Sequence, residues 1–181
     1  MNRFILSILA VFMTHILVAQ SADSLMNEIQ IKARAINQQR TSYDSVVIRS
    51  WEKTPEGVSV VGYMEKKDIR LIFVTWTIET GKKEMYYYFF QGKLIYAFQR
   101  NYAYNRPISW DQNKALQNGD KEYYDPLKTK ISRTQYYFSR EKLFKTMDAD
   151  QGEIMATPEM NQLTGKGLIT DAYKWKRELI K

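Results

Sequence analysis

A chain of 181 residues with 27 Lys and Arg against 20 Asp and Glu carries a net charge of +7, and it holds one histidine and no cysteine. Residues 1–20 read as a secretory signal, and its removal takes away His15, the only histidine. A chain without His and Cys cannot run Ser-His-Asp or Cys-His catalysis, nor build a zinc site on those ligands.

The signal starts with one positive residue, Arg3, and continues as an almost unbroken apolar run from Phe4 to Val18. That run is shorter than the roughly 20 residues needed to span a bilayer. Cleavage after Ala19 or Gln20 leaves residues 21–181 as a single domain, periplasmic or secreted, with no transmembrane anchor after cleavage. About 160 residues suffice for a core that needs no disulfide. The basic residues occur as dispersed pairs such as Lys66-Lys67 and Lys82-Lys83. This pattern suits a solvated surface with some attraction for anionic envelope material, and no nucleic-acid motif accompanies it.

In chain order, the first element is an amphipathic helix over 22–38, with Leu25, Ile29, Ala33 and Ile36 on one stripe. Strands follow at 43–51 and 58–64, then at 69–79, where apolar residues lie on both faces: Ile72, Val74 and Trp76 on one, Leu71 and Phe73 on the other. Further strands are expected at 84–90 and 93–104, joined by the tight turn Gln91-Gly92. Tyr87-Tyr88-Phe89 followed by Lys93-Leu94 returns as Tyr136-Tyr137-Phe138 followed by Lys142-Leu143, one hairpin design used twice. Between the copies, Asn105 to Lys130 is polar and turn-rich, with a short helix near 109–117. Thr157-Pro158-Glu159 opens a C-terminal helix that Gly165 and Gly167 interrupt, and a final helix starts at Thr170-Asp171. The expected fold class is α+β: one antiparallel meander of about six strands, with the N- and C-terminal helices packed on one face.

The hairpin run from Glu79 to Phe98, with Gly62-Tyr63 and Ile69-Arg70-Leu71-Ile72 before it, resembles a group of functionally uncharacterised exported proteins of Bacteroidota-type bacteria. The resemblance covers most of the mature chain. It implies a signal peptide, a β-meander of Tyr-Tyr-Phe/Gly-Lys-Leu hairpins and terminal helices, and it carries no activity. The hairpin also faintly resembles MORN-type β-repeats, which recur at about half the spacing of the two copies.

Three catalytic patterns are weak. Ser50…Lys53 and Ser139…Lys142 spell S-x-x-K, but at a strand end and in a turn, where no helix brings the amine to the hydroxyl. Glu79 and Glu84 flank one hairpin turn and form the nearest approach to a carboxylate pair. Asp148-Ala149-Asp150-Gln151-Gly152, with Glu159 after it, has its glycine one position early for a calcium loop. No cofactor motif is present.

The aromatics are the remaining signal. Tyr96, Phe98, Arg100, Tyr102 and Tyr104 share one face of a strand, and Tyr86 and Tyr88 one face of the strand before. Such a surface stacks on sugars or anchors a protein, with the Asn105 to Lys130 segment as its rim. Arg100 decides between two outcomes, because a charge within an aromatic stripe is either paired under a cover or marks an open surface. The expected function is a non-catalytic exported binding module for an envelope protein or glycan. The rivals are a hydrolase using carboxylates or Ser-Lys and a structural envelope domain without a small ligand.

Overall fold

The computed structural model describes residues 22–50 and 57–181, with only the backbone of Arg49 and Ser50. The signal segment and residues 51–56, among them Lys53 of the first S-x-x-K, lie outside the described residues. Among the described residues no helix is long and apolar enough to cross a membrane.

The first helix, α1, covers residues 22–38. Eight strands follow: β1 (Asp44–Ser50), β2 (Val58–Glu65), β3 (Asp68–Ile78), β4 (Gly81–Phe90), β5 (Lys93–Ala103), β6 (Lys130–Ser139), β7 (Lys142–Asp148) and β8 (Gly152–Glu153). They form one antiparallel sheet in chain order, each strand beside its sequence neighbours. The count is therefore eight where the pattern suggested about six, because the second hairpin supplies two full strands and a tight turn adds the two-residue β8. Helix α2 (Gln112–Gln117) lies between β5 and β6, and α3 (Pro158–Leu179) ends the chain.

The two terminal helices lie on opposite faces of the sheet, which corrects the expectation of a single covered face. Ile29, Ala33 and Ile36 of α1 pack with Leu71, Tyr88, Tyr96 and Tyr137. Leu168, Ala172 and Leu179 of α3 pack with Ile72, Tyr87, Phe89, Ala97 and Phe138. Leu71 and Ile72 are adjacent, as are Tyr87 and Tyr88, so the two sets point to opposite sides of the pleat. The central strands are apolar on both faces, and one helix has only one apolar stripe to offer. Two covers were needed.

α3 runs unbroken through Gly165 and Gly167, another correction to the sequence reading. Each glycine costs a helix about 1 kcal/mol, too little to break 22 residues anchored by packing. Its start is well capped: the Thr157 hydroxyl accepts from Met160 N at 3.2 Å, and Pro158 follows.

The hairpin design occurs three times. In β2–β3, β4–β5 and β6–β7 a two-residue turn (66–67, 91–92, 140–141) is followed by two ladder pairs and then by one bulged residue, Arg70, Ile95 or Phe144. The first turn residue has positive φ in each: Lys66 60°, Gln91 49°, Arg140 49°. The bulge swaps faces, so Leu94 meets the α3 side while Tyr96, two residues on, meets the α1 side. Tyr63, Tyr88 and Tyr137 occupy equivalent places in the three copies, and each hydroxyl is hydrogen-bonded by a polar residue of the N-terminal segment: Arg40, Asn37 and Gln30 respectively. α1 therefore crosses the strands from β6 towards β2.

Candidate functional site

The register arranges the α1 face in rows perpendicular to the strands. Row one is Leu71, Tyr88, Tyr96 and Tyr137, beneath α1. Row two is Phe73, Tyr86, Phe98 and Gln135; row three is Thr75, Glu84, Arg100 and Arg133. Rings touch along both aromatic rows: Phe73 on Tyr86 at 4.5 Å, Tyr86 on Phe98 at 5.9 Å, Tyr88 on Tyr96 at 5.3 Å and Tyr96 on Tyr137 at 5.1 Å.

A groove of about 470 Å³ runs where α1 meets rows two and three. Gln30, Ala33, Arg34 and Asn37 form its helical wall, one face at spacings of three, one and three. Tyr86, Tyr96, Phe98 and Arg100 supply the sheet side. Ala33 keeps the wall low. Most amides here are already engaged. Gln30 donates to the Tyr137 hydroxyl at 2.7 Å, that hydroxyl donates to Gln135 at 2.5 Å, and Asn37 holds the Tyr88 hydroxyl at 3.1 Å. Arg34 is exposed and has no hydrogen bond or ion pair with any described residue.

Three of the five residues singled out from sequence, Tyr96, Phe98 and Arg100, line this groove. Tyr102 lies one row beyond, and its hydroxyl donates to Glu84 at 3.1 Å. Tyr104 falls past the end of β5 and packs edge-on against Tyr124 at 5.3 Å. The Asn105 to Lys130 segment folds back on the Glu79 turn, with Ile108 N donating to Glu79 O at 2.9 Å, and none of it lines the groove. The rim is α1 instead. Glu84, Tyr86, Gln135 and the α1 residues were not in the sequence-derived set. The signal for Tyr86 was its alternation with Tyr88, whereas the helix residues lie about 50 or more positions away and no pattern linked them.

Glu84 organises the floor beside the groove. It is only 7% exposed, and Lys82 Nζ stands 2.8 Å from one oxygen. The other oxygen faces Arg100 Nη1 at 3.5 Å and the hydroxyls of Tyr102 at 3.1 Å and Tyr86 at 3.5 Å. Burial, then the Glu84 charge, pushes the Tyr86 hydroxyl up to about 12. Burial works to lower the Lys82 pKa, and the hydrogen bond and charge of Glu84 outweigh it, leaving the ammonium raised. Arg100 is both paired and open: its side chain is 34% exposed, Nη1 donates to the Tyr102 hydroxyl at 3.1 Å, and Nε is buried without a partner among the described residues.

The catalytic patterns do not assemble. Glu79 is exposed and accepts from Ser109 at 3.2 Å, while Glu84 is buried three residues into β4 with cations around it. Ser139 and Lys142 are ladder partners beside a hairpin turn, but no hydrogen bond joins their side chains among the described residues. Asp148 caps its own turn, accepting from Asp150 N at 2.8 Å and Gln151 N at 2.9 Å. A larger hollow of about 650 Å³ separates the start of α3 from β7, with Leu143, Ala156, Pro158 and Ile169 among its walls. It contains no aromatic ring, and its acid, Glu141, is engaged by the Tyr173 hydroxyl. The groove beside α1, by contrast, is lined by four aromatic rings and two guanidinium groups.

No family model, curated protein or solved structure matches this chain.

Proposed function

We propose that this chain is a non-catalytic exported binding module, periplasmic or secreted, that holds a glycan in the groove between α1 and the sheet. One observation supports this above the others: an open groove whose floor is built of aromatic rings with guanidinium and amide groups along its edges. Sugar rings present apolar faces that lie flat on aromatics and hydroxyls that need edge donors and acceptors. A hollow of this volume falls within the usual range for small-ligand sites. The rival reading, a carboxylate hydrolase, needs two acids across about 5–10 Å. Glu84 instead has cations and hydroxyls for neighbours.

A glycan array probed with the mature domain tests the reading. Binding to at least one oligosaccharide class is expected, together with its loss in Phe98→Ala while the fold is retained. Binding that survives Phe98→Ala, or a wholly silent array beside a protein captured from envelope extract, refutes it. The export part of the reading is checked by N-terminal sequencing of envelope protein, with Gln20 or Ser21 as the expected first residue.

A further inference from the structure

The charges around the groove are one-sided. Arg34 on α1 and Arg100 on β5 both line it. Arg133 stands directly across the ladder from Arg100, and Arg133 leans away to Asp150 at 3.4 Å. Among the described residues no Asp or Glu lines it. The nearest acid in the row, Glu84, lies beneath the floor and is already shared between Lys82, Tyr102 and Arg100. Two guanidiniums with no acid between them repel each other, and one of them, Arg34, has no hydrogen bond or ion pair among the described residues.

Arg100 is also loosely held. Among the described residues its only hydrogen bonds run from Nη1, at 3.1 Å to a neutral hydroxyl and at 3.5 Å to Glu84; the guanidinium lies 5.5 Å from the centre of the Phe98 ring, and Nε is buried and unsatisfied. A buried donor without an acceptor is costly, so a small reorientation of the guanidinium towards an anion gains more than it gives up. Arg offers a planar fork that takes a carboxylate, sulfate or phosphate on two donors.

Resting on the glycan reading above, we propose that the groove selects acidic sugars, with Arg34 and Arg100 closing on the anionic group while the sugar ring lies over Phe98; Tyr96, buried beneath α1, backs the floor. Asn37 and Gln135 stay with their tyrosine hydroxyls, so the selectivity resides in the two arginines. Arg34 acts from an exposed position on the helix. Its replacement removes recognition without disturbing the core.

The test is calorimetric titration of the mature domain with oligosaccharides of one backbone in four forms: uronate, its neutral methyl ester, sulfated and phosphorylated. The acidic forms are expected to bind about tenfold or more tighter than the ester, and to lose about tenfold for each of Arg34→Gln and Arg100→Gln. Added salt is expected to narrow the gap between acid and ester. Phe98→Ala lowers binding of all four forms. The ranking among uronate, sulfate and phosphate tells which anion the fork prefers. Equal affinity for ester and acids, or acid preference untouched by Arg34→Gln, overturns the inference and leaves the glycan reading standing. No binding of any form overturns both.

Discussion

Gly165 and Gly167 are two residues apart in α3, and alanine at these positions is expected to act in opposite directions. In an exposed helix interior, Gly→Ala stabilises by about 0.5–1 kcal/mol, because the unfolded chain loses freedom and the helix loses none. Gly167 faces open space, with nothing within 4 Å of an added Cβ, and Gly167→Ala is expected to show that gain in full. At Gly165 an added Cβ would stand 2.8 Å from Leu143 Cβ, 3.5 Å from Leu143 N and 3.8 Å from its Cα. None of these atoms can rotate away, so α3 must lift from β7. Overpacking of this kind costs about 1–3 kcal/mol, which exceeds the helix gain. The net for Gly165→Ala is a loss of about 1–2 kcal/mol, or roughly 2–8 °C of Tm for a domain of this size. Urea and thermal unfolding of the two variants beside the wild type measures the difference. If Gly165→Ala stabilises as much as Gly167→Ala, then α3 does not sit on β7 as described and the close approach is refuted.

Three further outcomes follow, two from the cluster around Glu84 and one from buried tyrosine hydroxyls on both faces of the sheet. Glu84→Gln keeps the shape but loses the charge that Lys82 and Arg100 share and turns an amide donor towards other donors; urea unfolding should show a loss of about 1–3 kcal/mol, moderated because both cations are about one-third exposed, and an unchanged midpoint would contradict the cluster. Tyr102→Ala removes hydroxyl contacts to Glu84 and Arg100 at a half-buried position, so a thermal melt should report a loss of about 1–2 kcal/mol; outright unfolding would make the stripe core throughout. Burial raises the Tyr86 and Tyr173 hydroxyls to about 12, with Glu84 adding to the first and the Glu141 hydrogen bond to the second. Their neutral forms stabilise the fold fully below the ordinary tyrosine pKa near 10, and that stability is lost as pH rises from about 10 to 12; denaturant midpoints at pH 9 and 11, read with tyrosinate absorbance, should fall, and a flat profile would refute the burial of these hydroxyls.

The strands were legible because their signals are local. Alternation located β2 to β5, and the aromatic triplet with Lys-Leu located β6 and β7. The third copy of the hairpin escaped because its triplet is Gly62-Tyr63-Met64. The glycine there is not random variation: a Cβ at Gly62 would lie 2.7 Å from Leu179 Cδ1, where α3 crosses β2. A tertiary contact erased the sequence signature of the repeat. The helix faces were misjudged for a related reason. Two amphipathic helices and one sheet are compatible with one-sided or two-sided packing, and only the double-sided apolar character of β3 argues for the second. The groove was half legible. Strand period two brings Tyr96, Phe98 and Arg100 together, but no periodicity links them to Arg34, whose wall exists because α1 happens to cross at their level.

That crossing level follows from the repeat. Gln30 and Asn37 are seven residues apart, about 10.5 Å along a helix axis, and they bond Tyr137 on β6 and Tyr88 on β4, two strand spacings or about 9.6 Å apart. The equivalent tyrosines of successive hairpins thus form a ladder of hydroxyls whose step a helix matches, and α1 is fixed over the row nearest the turns. A helix is about 10 Å wide, whereas β5, with 11 residues, is about 36 Å long. Most of the α1 face therefore stays uncovered, and the sequence changes character at that boundary. The rings of rows one and two give way to Glu84, Arg100 and Arg133 in row three. The proposed recognition surface is the step between the covered rows and the open ones. It lies beside the helix because the tyrosine ladder leaves α1 no other place to dock.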